Sequence, residues 1–336
     1  MKGLWVAGAG AVGPLGMGRV RGGGPAPDGV CRRVPDGLPL KEGFQPQTMR
    51  WLDNASLWWL NAARQALGQH WPSPQETAQL VGLGWGPTQP AADLLSLVSE
   101  AGFSAMTPAL FPYSVGNAPA GQASILLGLR GPAITLCAKE AAGLSALVEG
   151  SRLVASGAVP ACVAGAVDQL EPTLLRVILP LRVSSALPPG EGAYALAIRG
   201  GDGPAEGDLA RVAGWATLSE TCAPHLFPEP SPLIGRLFNR LCDRTGWEAS
   251  TVDWLGAPCD TPRLRAASER LAAQDTRGGS LRCFQETLGT GGASWAGAAI
   301  HAAQDLAEGL ASRAVLLALA TGGAAWAMAL ESCRDQ

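Results

Sequence analysis

The sequence predicts an α/β fold made of two similar halves with largely buried sheets, a duplicated and layered architecture. Three observations carry this. Apolar runs of strand length alternate with helical patterns in both halves. A Gly/Asp/Pro/Glu stretch from Gly200 to Gly207, with linker composition, separates the two series. The 336 residues suit two domains, or one large two-part domain, at about 150 residues each. The halves are taken as residues 1–203 and 204–336.

In the first half, Leu4 to Ala7 is a short apolar run that ends in glycines and leads into a Gly/Pro-rich loop reaching about Thr48. Asp53 and Asn54 can cap a helix from Ala55 to Leu67, whose Leu57, Leu60, Ala63 and Leu67 fall on one face. Gln79 to Gly84 reads as a buried strand and Ala91 to Ala101 as a helix. From Gly131 the pattern is denser: a strand at Ala133 to Leu136, a helix to about Ser156 stopped by Gly157, and a strand from Val159 to Ala164. In the second half, strands are expected at Ala210 to Ala216, Val252 to Gly256, Ala314 to Ala320 and Ala324 to Glu331. Helices are expected at Leu233 to Thr245, Arg263 to Ala273 and Ala293 to Gly309.

Composition excludes several functions. The net charge is −3 and charged residues make up 16%, against about 25% in soluble domains, so nothing is basic enough to track a nucleic-acid backbone. Eight cysteines show no CxxC pair and no His at metal-ligand spacing, which favours reduced cytoplasmic thiols over disulfides or zinc. The N-terminus lacks the compact apolar stretch of a signal peptide. Ala314 to Leu330 is apolar, but Thr321-Gly322-Gly323 divides it into two strands rather than a membrane span. Only three histidines (His70, His225, His301) and three lysines (Lys2, Lys41, Lys139) are present, so a mechanism built on paired imidazoles has few candidates.

Gly8-Ala9-Gly10-Ala11-Val12-Gly13 fits GxGxxG after a strand, yet Pro14, Gly16, Gly18 and Gly22 to Gly24 prevent the helix that a dinucleotide site needs. A glycine turn between strand and loop is the preferred reading.

The block from Phe111 to Asp168 carries the sharpest signal. Asn117, Gly121, Gly128, Leu129, Gly131, Pro132, Thr135, Gly143, Leu144, Ala146, Gly165 and Asp168 keep the order of an N-x-x-A-G helix, a G-L-x-G-P loop, a T-A-C-S-S-G-L-x-A-I elbow and an A-G-G-x-D strand end. On these motifs the chain resembles the β-ketoacyl synthase family of the thiolase superfamily. The likeness runs on through Val6 to Gly16, the G-E-G-A-like Pro189 to Ala193, Ser219 to Pro230, Val252 to Thr261, Gln285 to Gly292 and the Gly322-Gly323 turn. It implies a thiolase-like fold, two halves with a five-stranded sheet each, packed in α-β-α-β-α layers. The segment between Asp168 and Pro189, which helps wall the acyl site in the family, is short here.

The reactive positions of that family do not carry over. Active members place a cysteine at the helix N-terminus, where partial positive charge favours the thiolate, and use two histidines on the developing enolate and oxyanion. Here the cysteine position carries Glu140, the histidine positions carry Pro258 and Glu286, and the lysine before the second carries Leu281. The family's aromatic gate becomes Leu319-Ala320-Thr321-Gly322-Gly323. An alternative alignment makes Cys137 the nucleophile, at the cost of a deletion before it and an insertion after it; its structural reading is a thiol at the end of a buried strand.

Lys139 to Leu147 is similar to the elbow of chain-length factors, the non-condensing partners of type II polyketide ketosynthases, with an acid where those carry an amide. The resemblance therefore implies a non-catalytic subunit that pairs with an active ketosynthase in polyketide or aryl-polyene-type biosynthesis. Ser114 to Gln122, including Asn117 and Gly121, would complete the partner's acyl tunnel together with Glu140. An acyl carrier protein would dock mainly on the active subunit, and no cofactor is expected beyond its phosphopantetheine arm. Two other readings stay open: an independent acyl-processing enzyme using Glu140 with Glu286, or Cys137, and a homodimeric scaffold without catalysis.

Overall fold

The computed structural model describes residues 2–21, 31–69, 71–86, 88–106, 108–181, 187–277 and 281–335. His70, the glycines Gly22 to Gly24 and part of the short segment after Asp168 lie outside them. Strands are β1 (Gly3–Gly13), β2 (Gly16–Met17), β3 (Thr77–Leu83), β4 (Ala133–Cys137), β5 (Ala161–Asp168), β6 (Gly192–Gly201), β7 (Ala210–Ser219), β8 (Trp254–Gly256), β9 (Arg313–Leu319) and β10 (Ala324–Glu331). Helices are α1 (Pro46–Met49), α2 (Asn54–Leu67), α3 (Thr88–Ala101), α4 (Ala118–Leu127), α5 (Ala142–Ala155), α6 (Pro172–Leu181), α7 (Pro230–Thr245), α8 (Pro262–Asp275), α9 (Gln285–Leu288) and α10 (Ser294–Glu308). No described helix is long and apolar enough to cross a membrane.

The strands run in the order β4-β3-β5-β6-β1-β7-β10-β9-β8, with β2 folded back on β1. β4, β3 and β5 are parallel to one another, whereas β6 runs antiparallel to both β5 and β1. The expectation of two five-stranded sheets needs correcting at two points. β1 and β7 pair through Trp5–Arg211 and Val6–Ala210, so the halves share one sheet. In the second half the fifth strand shrinks to a single bridge between Leu255 and Leu281.

Three large apolar cores among the described residues hold five layers together, the central one covering both faces of the middle helical layer. The outer core of the first half packs α2 and α4, through Trp59, Leu60 and Ala123, on Val81, Val163 and Ala195 of the sheet. The central core joins Leu144 and Leu147 of α5 and Trp295 and Ile300 of α10 to both halves of the sheet, including Leu80, Leu196 and Leu316. The outer core of the second half sets Leu237 and Leu241 of α7 and Leu264 of α8 against Val315, Leu317 and Ala327. The α-β-α-β-α order is thus observed.

β1 runs straight through the GxGxxG segment, and the glycines serve packing. A Cβ on Gly8 would fall 2.2 Å from the carbonyl oxygen of Ala66, and one on Gly10 would fall 2.0 Å from that of Ala62. These two glycines let α2 lie against the strand; the Asp53 carboxylate caps that helix by accepting from Ser56 N at 3.1 Å. Gly10→Ala should therefore lower stability by at least the roughly 1–3 kcal/mol of an overpacked core. A denaturation midpoint equal to that of the parent would contradict this packing role.

Candidate functional site

The carboxyl ends of β3, β4 and β5 meet at one end of the sheet, where open α/β sheets hold their ligands. Asp168, the last residue of β5, is fully buried and organises this end. One carboxylate oxygen accepts from the backbone N–H of Gly84 (2.8 Å), Trp85 (2.7 Å) and Gly86 (3.4 Å), and the other from Ala293 N (3.1 Å). The same side chain thus joins the loop after β3 to the start of α10. Burial pushes its pKa up to about 6, against the pull of these four donors.

The chain leaves β4 through a tight elbow. Lys139 has φ 48°, the one non-glycine residue with positive φ among the described residues, and a Cβ on Gly292 would sit 2.4 Å from its carbonyl oxygen. Gly143 N donates to Gly292 O at 2.8 Å, which holds α5 against the loop that leads into α10. At this bend the carboxylate of half-buried Glu140 accepts from Thr321 N (3.0 Å) and from the Thr321 hydroxyl (3.2 Å). Lys139 Nζ donates to Pro224 O (2.6 Å) and Thr321 O (3.2 Å). Residues 139 and 140 therefore clamp the β9–β10 turn on the elbow.

A cavity of about 640 Å³ opens beside the clamp. Trp85, Leu174, Ile178, Leu226 and Phe227 give it an apolar wall, and Glu140, His225, Asp260, Thr261 and Thr290 give it polar groups. Its volume falls in the range of small-molecule sites.

The sequence-derived positions separate in space. Glu140 and Thr321 meet. Glu286 stands 57% exposed, paired with Arg265 at 2.9 Å, outside the cavity lining. Pro258 is buried, with its carbonyl accepting from Ser268 Oγ at 2.8 Å, and Leu281 forms the bridge to Leu255. Leu319 is buried in the outer core of the second half. Ser114 is half-buried and donates to Phe111 O, and Gln122 is also half-buried. Asn117 and Gly121 are exposed and, with Ile125 at 75% exposure, form one stripe of α4.

Cys137 differs from its expected burial. It ends an edge strand, is exposed, and faces a smaller hollow on the other side of the elbow with Ser145, Glu149 and Trp326. His225 lines the main cavity and is exposed; no second described imidazole joins it. His301 lies on α10, 3.4 Å from Asp305 and edge-on to Trp254. Asp260 and Asp168 were missed as site residues, since neither stands in a motif for acid chemistry; only the strand-end position of Asp168 hinted at a structural part.

The family model for the N-terminal domain of β-ketoacyl synthases matches residues 22–207, more than half of the chain. Among solved structures, the ishigamide ketosynthase/chain length factor superposes with a TM-score of 0.81 at 18% identity, covering 98% of this chain and 99% of the other. A β-ketoacyl synthase from Burkholderia phymatum gives 0.83 at 16% identity, with 99% and 100% covered. A chain from a type II polyketide synthase acyl-carrier protein in complex with its ketosynthase, bound to the hexaketide, gives 0.78 at 17% identity, with 99% and 100% covered. No curated protein matches the sequence.

Proposed function

The chain belongs to the β-ketoacyl synthase family, and we propose that within it this protein is a non-condensing subunit that pairs with an active ketosynthase and shapes its acyl tunnel, as chain-length factors do, in polyketide or aryl-polyene-type biosynthesis. The observation that carries this reading is Glu140 at the elbow with its carboxylate engaged by Thr321. A carboxylate there cannot accept an acyl group from a thioester and hold it as an active thiolate does, and its charge opposes a developing oxyanion. Pro258 offers no side-chain donor, and Glu286 is tied to Arg265.

The surface supports pairing. Among the described residues β4 bonds only to β3, leaving an edge there of the kind that pairs with another chain. The Asn117, Gly121 and Ile125 stripe lies on α4, which packs beside that edge. The acyl carrier protein, with its phosphopantetheine arm, would engage mainly the active partner. The independent-enzyme reading that relies on Glu140 with Glu286 is weakened, because the two carboxylates are held by different partners.

Co-expression with a ketosynthase carrying an intact Cys-His-His set should yield a stable complex, and Glu140→Ala in that complex should shift the product-length distribution while assembly persists. A stable homodimer that ignores the ketosynthase would favour the scaffold reading. Unchanged products in the variant complex would reduce Glu140 to a filler of the elbow.

A further inference from the structure

One helix of the chain lies bare on its outer side. Among the described residues α3 packs chiefly on the turns that follow it, Phe103–Ala105 and Pro108–Tyr113, and none of its residues is buried. Leu95 and, just beyond the helix, Phe103 stand 70% and 82% exposed. The charged residues of α3 are Asp93 and Glu100, with no basic residue among them. They lie two turns apart on one face, about 10.5 Å along the axis, and Asp93 also accepts from Gln89 Nε2 at 2.7 Å. A helix draws most of its stability from packing an apolar face, and α3 has little to pack on within its own chain.

A surface of the opposite sign lies on α7. Leu233, Leu237 and Leu241 of this helix face the outer core of the second half, which turns Arg236, Arg240 and Arg244 outward at four-residue spacing, a stripe about 12 Å long. Beside it are two adjoining hollows of about 550 and 480 Å³ that share Leu218 and Arg240. Trp326 lines the first and Leu233 the second. The acids nearby are Glu149, paired with Arg152 at 2.8 Å, Glu220, paired with Arg236 at 2.5 Å, and exposed Asp243 on α7 itself. Arg244 donates to Trp215 O at 3.0 Å. Among the described residues nothing bonds or pairs with the guanidinium of Arg240, which stands between the two hollows.

We infer that the two surfaces meet between copies of this chain: α3 of one copy lies along α7 of another, with Asp93 and Glu100 on the arginine stripe around Arg240 and with Leu95 and Phe103 in the hollows beside it. Opposite charge sets the register, and the two exposed apolar side chains gain the cover they lack in the single chain. In a two-fold pair each copy gives its α3 and receives the other's. The contact uses neither β4 nor the stripe of Asn117, Gly121 and Ile125, so it is independent of the pairing with a ketosynthase and leaves that face open.

Sedimentation equilibrium of the full chain tests this, with circular dichroism to verify folding of each variant. The wild-type chain should form a dimer whose dissociation constant rises at least about ten-fold between about 0.15 and 1 M salt, as the screening length falls from about 8 to about 3 Å. Arg240→Glu should weaken the dimer by about 100-fold, the effect of setting like charges against each other. Asp93→Arg combined with Glu100→Arg should do the same, and all three substitutions in one chain should restore the dimer. The salt dependence of the wild-type chain carries the test even where a variant folds poorly. A chain that stays monomeric, a dimer indifferent to salt or to Arg240→Glu, or reversed charges that fail to rescue one another would each overturn the assignment.

Discussion

Asp168→Ala is expected to be the most destabilising single substitution near the cavity, lowering stability by several kcal/mol or preventing folding. The carboxylate satisfies four backbone N–H groups from two separate segments, and each buried donor left without a partner costs about 1–3 kcal/mol. Asp168→Asn tests the charge separately. Because burial raises the folded pKa to about 6 from an ordinary 3.8, the native state binds the proton more tightly than the unfolded chain. The Asp168 contribution is therefore fully present below the unfolded value and is lost as pH rises through about 6. Relative to Asp168→Asn, the wild-type chain should gain roughly 1 kcal/mol of stability at pH 5 over pH 7.5, as the linkage of that shift requires. Denaturant unfolding of both proteins at the two pH values measures it. A pH-independent difference would show that the carboxyl keeps its ordinary pKa when folded.

The second large effect concerns the partner. Ile125, 75% exposed on α4, sits in the middle of the surface proposed to receive the ketosynthase. Ile125→Arg should leave the fold intact, since no buried contact is lost, yet weaken the complex by about 100-fold or more, the scale of a central interface residue. Co-purification and an affinity measurement with the ketosynthase would show it, with circular dichroism to verify folding. Undiminished binding would move the interface away from the α4 and β4 face.

Much of the fold is legible in the sequence where periodicity is clean. α2 follows from Asp53 and its leucine stripe, and β10 occupies the expected Ala324–Glu331. β6 is not predicted, because Ala193 to Ile198 is apolar throughout and buried on both faces, which removes the alternation that marks a strand. α6 hides behind Pro180. β1 is truncated in the prediction because glycines usually signal a turn, whereas Gly8 and Gly10 here make room for a helix.

The site divides in the same way. Counting along the elbow places Glu140 at the bend, since the helix that follows fixes the spacing. Counting cannot say where Glu286 points; its pairing with Arg265 is a tertiary fact, set by α8 and α9 coming together. His225 and Asp260 reach the cavity from loops with no local signature. Cys137 becomes exposed because β4 lies at the sheet edge, which strand composition alone does not reveal.

The central claim is that this chain does not itself carry or condense acyl groups. Intact-mass spectrometry of the purified chain, incubated with acyl- and malonyl-loaded acyl carrier protein, with and without a ketosynthase, tests it most directly. The account predicts no acyl adduct on this chain under either condition, and product only when the ketosynthase is present. An acyl group covalently bound to this chain, or product formed by it alone, would contradict the account.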